Sequence, residues 1–193
     1  PFAGSARQAA ADDWSPPTTV YIPDTGHSID GVFLDYWRSN GGANAFGNPI
    51  SAELTQNGHV VQYYEYARFE YWPNDPNGNV VHLGNIGAEL QPTTIVRSSP
   101  GAITKLAYSS VNAEVAQLSK AWLPLDKAEA KKPKTDTWVY VSATGHSVSN
   151  GFKTFWDSAT DYLGNPLTQE FQVKGVTYQI FERGELAWKQ GTS

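Results

Sequence analysis

The chain contains no cysteine and no methionine. Without Cys there can be no disulfide scaffold, thiolate zinc site, iron–sulfur cluster or Cys nucleophile. Without Met the expectation is that Pro1 follows either a cleavage or an imposed chain boundary, and the lack of a leader there says nothing about export. Long apolar runs are also missing: no stretch approaches the ~18 apolar residues of a membrane-spanning helix. Charge is sparse, at 17 % of 193 residues, and its balance of −5 is acidic. That balance argues against a nucleic-acid partner, because neutralising phosphates takes clustered Lys and Arg. The length allows one or two domains, each with a buried core.

Rings, in contrast, are abundant: seven Trp, ten Tyr and eight Phe. Aromatic side chains fill cores, and their faces also hold sugars and partner proteins. Composition alone leaves both readings open.

Comparing the chain with itself reveals a duplication. Val20-Tyr-Ile-Pro-Asp-Thr-Gly-His-Ser28 matches Val139-Tyr-Val-Ser-Ala-Thr-Gly-His-Ser147, and Phe33, Trp37 and Ser39 recur as Phe152, Trp156 and Ser158. After a two-residue deletion, Phe46-Gly-Asn-Pro-Ile aligns with Leu163-Gly-Asn-Pro-Leu, followed by Glu53/Glu170, Gly58/Gly175, Gln62/Gln179 and Glu65/Glu182. Nine of 21 positions before the gap and seven of 26 after it are identical, against roughly three expected in all by chance. The blocks are an N-terminal extension (1–16), repeat one (17–90), a connector (91–136) and repeat two (137–193). The connector ends in Lys127-Ala-Glu-Ala-Lys-Lys-Pro-Lys-Thr-Asp136, a ring-free charged run that reads as a solvated linker.

Within each repeat, Phe33, Tyr36 and Trp37, like Phe152, Phe155 and Trp156, lie at i, i+3, i+4. This predicts a short helix with one apolar face, N-capped by Ser28 or Ser147. Gly41-Gly42 ends the first helix. Gly-Asn-Pro at 47–49 and 164–166 forces a turn, and Ser51 and Thr168 are expected to cap a second short turn carrying Glu53 or Glu170. Val60–Tyr66 returning through Phe69–Trp72, and Thr177–Glu182 returning through Leu186–Trp188, read as β-hairpins. Val80–Leu83 adds a third strand to repeat one, and Ala113–Ala121 is a helix candidate in the connector. The expected fold class is α+β: two related small repeats, each a short helix packed on a β-hairpin or small antiparallel sheet.

Phe46-Gly-Asn-Pro-Ile-Ser-Ala-Glu53 and Leu163-Gly-Asn-Pro-Leu-Thr-Gln-Glu170 resemble the Leu-Gly-Phe-Pro repeats of secreted bacterial proteins. The longer pattern runs Thr-Gly-His-Ser, Phe-x-x-x-Trp, Gly-x-Pro and Gln-Tyr-Tyr-Glu-x-Ala-Arg-Phe-Glu-Tyr. It is similar to accessory regions in exported cell-envelope proteins of Chloroflexi-type bacteria. The resemblance covers both repeats and implies an extracellular or envelope location with a non-catalytic role, binding cell-wall glycan or an envelope protein. Asn48 and Asn165 stand where those repeats carry their name-giving Phe.

The remaining motifs point away from catalysis. His27 and His146 recur in Thr-Gly-His-Ser and read as histidines that tie down the helix start. No His-x-His or His-Glu-x-x-His spacing supports a zinc hydrolase. Neither Gly-x-Ser-x-Gly nor Ser-x-x-Lys is present. Asp75-Pro-Asn-Gly-Asn79 reads as a turn, since a calcium loop would need Gly at Val80 and Glu at Ile86. Glu53/Glu170 and Glu65/Glu182 could form the facing carboxyls of a glycosidase, which stand about 5–10 Å apart, or could anchor the fold by hydrogen bonds.

Rings crowd the first hairpin. Strand alternation puts Tyr64 and Tyr66 on one face and Tyr63 on the other, and one face is left for a neighbouring domain or a ligand. The expected contact residues are Tyr64, Glu65, Tyr66, Arg68, Glu70 and Trp72, with Glu182 and Arg183 in repeat two. No catalytic residue, metal or cofactor is expected. The alternatives are a self-associating structural subunit of an extracellular assembly, and a glycoside hydrolase.

Overall fold

A computed structural model describes residues 17–91 and 120–191. The N-terminal extension lies outside the described residues, as does most of the connector; of its helix candidate only Lys120–Ala121 is described, and it is helical. The architecture is α+β, with helices on small antiparallel sheets.

Repeat one opens with the hairpin β1 (Thr19–Ile22) and β2 (His27–Asp30). Helix α1 (Gly31–Ser39), α2 (Gly42–Phe46) and the four-stranded meander β3 (Leu54–Gln56), β4 (His59–Tyr63), β5 (Arg68–Tyr71) and β6 (Val81–Leu83) follow. The single turn α3 (Ile86–Glu89) closes the repeat. Repeat two runs β7 (Trp138–Val141), β8 (His146–Ser149), α4 (Asn150–Leu163) and the three-stranded meander β9 (Phe171–Val173), β10 (Val176–Phe181) and β11 (Gly184–Lys189). In the linker a 3-10 turn forms at Glu129–Lys131.

Two local expectations need correction. Ser28 and Ser147 do not cap the helices; they lie inside β2 and β8, and the N-caps are Asp30 and Ser149. Gly26 and Gly145, at φ 72° and 80°, reverse the chain before the histidine, so Thr-Gly-His-Ser belongs to a hairpin rather than a helix start. Ser51 and Thr168 do not open a second turn either. Their hydroxyls accept hydrogen bonds from Tyr63 N and Ile180 N at 3.0 Å, which fastens each Gly-Asn-Pro segment to its central strand.

The two-residue deletion has a visible result. Repeat one breaks its helix at Gly41, whose φ of 100° is left-handed. Repeat two lacks that break and runs one helix of 14 residues.

The fastenings of the two repeats match closely. Trp37 Nε1 donates to Gly47 O at 3.0 Å and Trp156 Nε1 to Gly164 O at 2.8 Å. Gln62 Nε2 reaches Ser28 O and Ser51 O, while Gln179 Nε2 reaches Ser147 O and Thr168 O. One difference stands out. The Tyr64 hydroxyl donates to Gln62 Oε1 at 2.8 Å, whereas Phe181 fills that position in repeat two and Gln179 Oε1 is buried without a partner. A buried acceptor left unpaired costs about 1–3 kcal/mol. Phe181→Tyr restores the donor, so it should raise stability by about 1 kcal/mol in urea unfolding; an unchanged or lowered midpoint would show that the pocket cannot admit the hydroxyl.

The core of repeat one holds Phe33, Leu34, Phe46, Tyr64 and Phe69, each at most 3 % exposed. Repeat two is thinner, with Lys153 in place of Leu34 and Leu163 in place of Phe46. The repeats touch where Tyr162 meets Phe46 edge-on at 5.3 Å and where Gly87 N donates to Glu182 O at 3.0 Å.

Candidate functional site

The eight expected contact residues do not form one surface. Tyr64 is buried, its ring 4.1 Å from Phe69, and burial, with Glu53 and Asp30 adding to it, pushes its hydroxyl above the usual phenol range. It has no open face. Tyr66 is 64 % exposed, so it does not share a face with Tyr64. Strand alternation fails there because β4 stops at Tyr63 and Tyr64 N turns back to Ala67 O at 2.8 Å.

Glu65 and Glu182 fix turns. Glu65 Oε2 accepts from Asn48 N at 2.7 Å and Glu182 Oε2 from Asn165 N at 3.0 Å. Close approach explains the glycines beside them: a Cβ on Gly47 would lie 2.4 Å from Glu65 Cβ. Arg183 Nη1 donates to Asp161 O at 3.2 Å, at the end of α4.

Arg68, Glu70 and Trp72 do come together. Arg68 is 5 % exposed and holds Glu70 at 2.6 Å and Glu89 at 2.8 Å. These carboxylates, Glu89 foremost, keep the guanidinium firmly charged against its burial. Trp72 Nε1 donates to Glu70 Oε2 at 3.2 Å, and its ring stacks on His59 at 3.9 Å. Every guanidinium nitrogen of Arg68 thus has a carboxylate partner, and the cluster clamps β5 to α3.

The open ring surface lies elsewhere, in repeat two. A cleft of about 670 Å³ runs between the first turns of α4 and the β10–β11 sheet, with Phe152, Phe155, Glu170, Thr177, Leu186 and Trp188 on its walls. Phe155 is 55 % and Trp188 52 % exposed. Glu170 accepts a hydrogen bond from Ser149 Oγ on one rim. With Thr177, it also borders a second hollow of about 500 Å³ beside Lys120 and Gln169.

Repeat one shows why this cleft is open. There the matching residues are Phe33, Tyr36, Glu53, Val60, Phe69 and Tyr71. Phe69 is fully buried, with Phe33 at 5.9 Å and Tyr36 at 5.0 Å, and Val81 from β6 joins them. Leu186 is smaller than Phe69, and among the described residues no strand lies outside β11. Helical spacing read Phe152 and Phe155 as core; the smaller residue at 186 was the available signal that the core there is unfilled.

The two motif histidines diverge. His146 is 4 % exposed, and its Nδ1 accepts from Gln169 Nε2 at 2.9 Å. Repeat one has Ala52 in place of that glutamine. Burial pushes the His146 imidazole down to about 4. Because its folded pKa lies below the unfolded value of about 6.5, its contribution is complete above pH ~6.5 and is lost as pH falls toward 4. The expected loss is on the order of 3 kcal/mol across that window. Urea midpoints of wild type and His146→Gln should converge as pH drops, and parallel curves would refute a buried neutral imidazole.

Among the described residues no helix is long and apolar enough to cross a membrane. No family model matches the chain, and no curated protein matches it.

Proposed function

We propose that the chain is a non-catalytic, secreted module that holds a cell-envelope partner in the cleft of repeat two. The observation that carries this reading is the pair of open rings, Phe155 and Trp188, on either side of a cleft that repeat one keeps filled. Exposed rings beside a few polar groups are what a glycan or a protein segment needs for stable contact. Support for the envelope location is the resemblance of the Gly-Asn-Pro repeats to those of exported proteins.

Carboxylate chemistry has less support. Glu65 and Glu182 are each engaged by the backbone of their own turn, which favours an anchoring role for that pair.

The test is retention on washed envelope fractions. Wild type should sediment with them, and Phe155→Ala with Trp188→Ala should weaken retention at least about tenfold, since well-packed interface aromatics are worth ~2 kcal/mol or more each. Digesting the envelopes with a muramidase or with a protease beforehand separates glycan from protein. A chain that stays in the supernatant in every case would refute the proposal.

A further inference from the structure

We infer that the outer edge of β11 is a strand-acceptor site: it takes an extended segment of a partner protein, antiparallel, with two apolar residues two apart entering the cleft. This rests on the reading of that cleft as the binding surface.

Repeat one contains the filled version of the site. Strand β6 pairs with β5 in the register Phe69↔Leu83, Glu70↔His82, Tyr71↔Val81. Gly84 N donates to Arg68 O and Trp72 N to Val80 O, both at 2.8 Å, so the backbone groups of residues 68, 70 and 72 face β6. Val81, 7 % exposed, belongs to the buried cluster, and Leu83 packs against it.

The inner ladders of the two repeats coincide. Val60↔Tyr71 and Gln62↔Phe69 correspond to Thr177↔Trp188 and Gln179↔Leu186. Ala187 therefore occupies the place of Glu70, and its N–H and C=O point away from β10. Exposed edges are normally blunted by charge, proline or a bulge. The charges of β11 sit near its ends, at Glu185 and Lys189, and Leu186-Ala187-Trp188 between them is uncharged. Backbone pairing at Ala187 would supply affinity, and side chains dropping beside Phe155 and Trp188 would supply selectivity, which is the general logic of strand addition.

The partner's chemistry can be specified further. Repeat one requires glycine after Leu83, because a Cβ on Gly84 would lie 2.6 Å from Arg68 Nε and from Glu70 Oε1. Repeat two has Glu185 and Ala187 at those positions, so a side chain fits there, and a basic one would face Glu185. The segment expected is apolar–any–apolar followed by Lys or Arg.

The probe is a synthetic peptide with the sequence of residues 79–84, Asn-Val-Val-His-Leu-Gly, together with a version ending in Lys and one N-methylated at His. Each is titrated into the intact chain while the Ala187 amide is followed by NMR. Saturable shifts at Ala187 are expected, with tighter binding for the Lys version. At least about tenfold weaker binding is expected for the N-methylated one, which loses the central donor. Trp188→Ala should weaken all three. Equal binding of the N-methylated peptide would overturn strand pairing. If the peptides do not bind while envelope retention still depends on Phe155 and Trp188, the occupant is not a strand and the binding reading stands. If neither occurs, both fail.

Discussion

Phe69→Ala should lower the unfolding free energy by about 3–5 kcal/mol, the usual loss for a buried Phe in a tight core. Phe69 is completely buried, and four rings meet it: Tyr64 at 4.1 Å, Phe46 at 4.8 Å, Tyr36 at 5.0 Å and Phe33 at 5.9 Å. Three of the four are steeply inclined to it, the edge-on geometry in which ring pairs gain beyond area alone. Removing the hub therefore costs transfer energy, a cavity and several ring contacts together. Urea unfolding followed by tryptophan fluorescence measures the loss. Leu186→Ala, at the matching but half-buried position, should cost much less, roughly 1–2 kcal/mol. Equal losses at the two positions would contradict a filled core in one repeat and an open cleft in the other.

Gly87→Ala should cost about 3 kcal/mol and loosen the contact between the repeats. Gly87 is not in the left-handed region, so the effect is not backbone strain. A Cβ there would sit 1.7 Å from the carbonyl oxygen of Phe181 and 2.9 Å from its carbonyl carbon. Both obstacles are backbone, and no rotamer change relieves them. Helix α3 must lift, which breaks Gly87 N to Glu182 O and disturbs Glu89, the partner of Arg68. Gly58→Ala is the comparison: its φ of 84° is left-handed but nothing lies within 4 Å of the added Cβ, so only the ~1 kcal/mol of backbone preference should appear. A Gly87→Ala protein as stable as wild type would mean that α3 does not pack on β10.

Much of the fold was readable because its signals are local. The i, i+3, i+4 rings placed α1 and α4, Gly41-Gly42 marked the helix break, and β-formers placed β4, β5, β6, β10 and β11. The first hairpin of each repeat was hidden, since Thr-Gly-His-Ser followed by an apolar helix face has the form of a cap. Strands β3 and β9 have only three residues each, too few to show alternation. The dipeptide at their turn did carry a signal. Asn57-Gly58, at φ 51° and 84°, has the left-handed pair that a two-residue hairpin demands, and Asn-Gly is its favoured sequence.

The site was less legible, for a different reason. Periodicity tells which residues share a face but not whether anything covers that face. Tyr64 was expected among the contact rings and Phe155 on the inward face of a helix, yet Tyr64 is buried and Phe155 open. Arg68 and Glu89 are 21 positions apart, and no spacing rule links them. Neither Tyr162 nor Gly87 carries any mark that it meets the other repeat.

The order of β6 and α3 along the chain has a mechanical consequence. Tension arriving from the connector at Leu90 reaches α3 first, where Gly87 N–Glu182 O and Arg68–Glu89 hold. Only after those give way does the load reach β6, the outermost strand of its sheet. The short helix thus acts as a fuse ahead of the seal on repeat one's core. A module tethered by one end and loaded at the other would shed its inter-repeat contact before exposing Phe69.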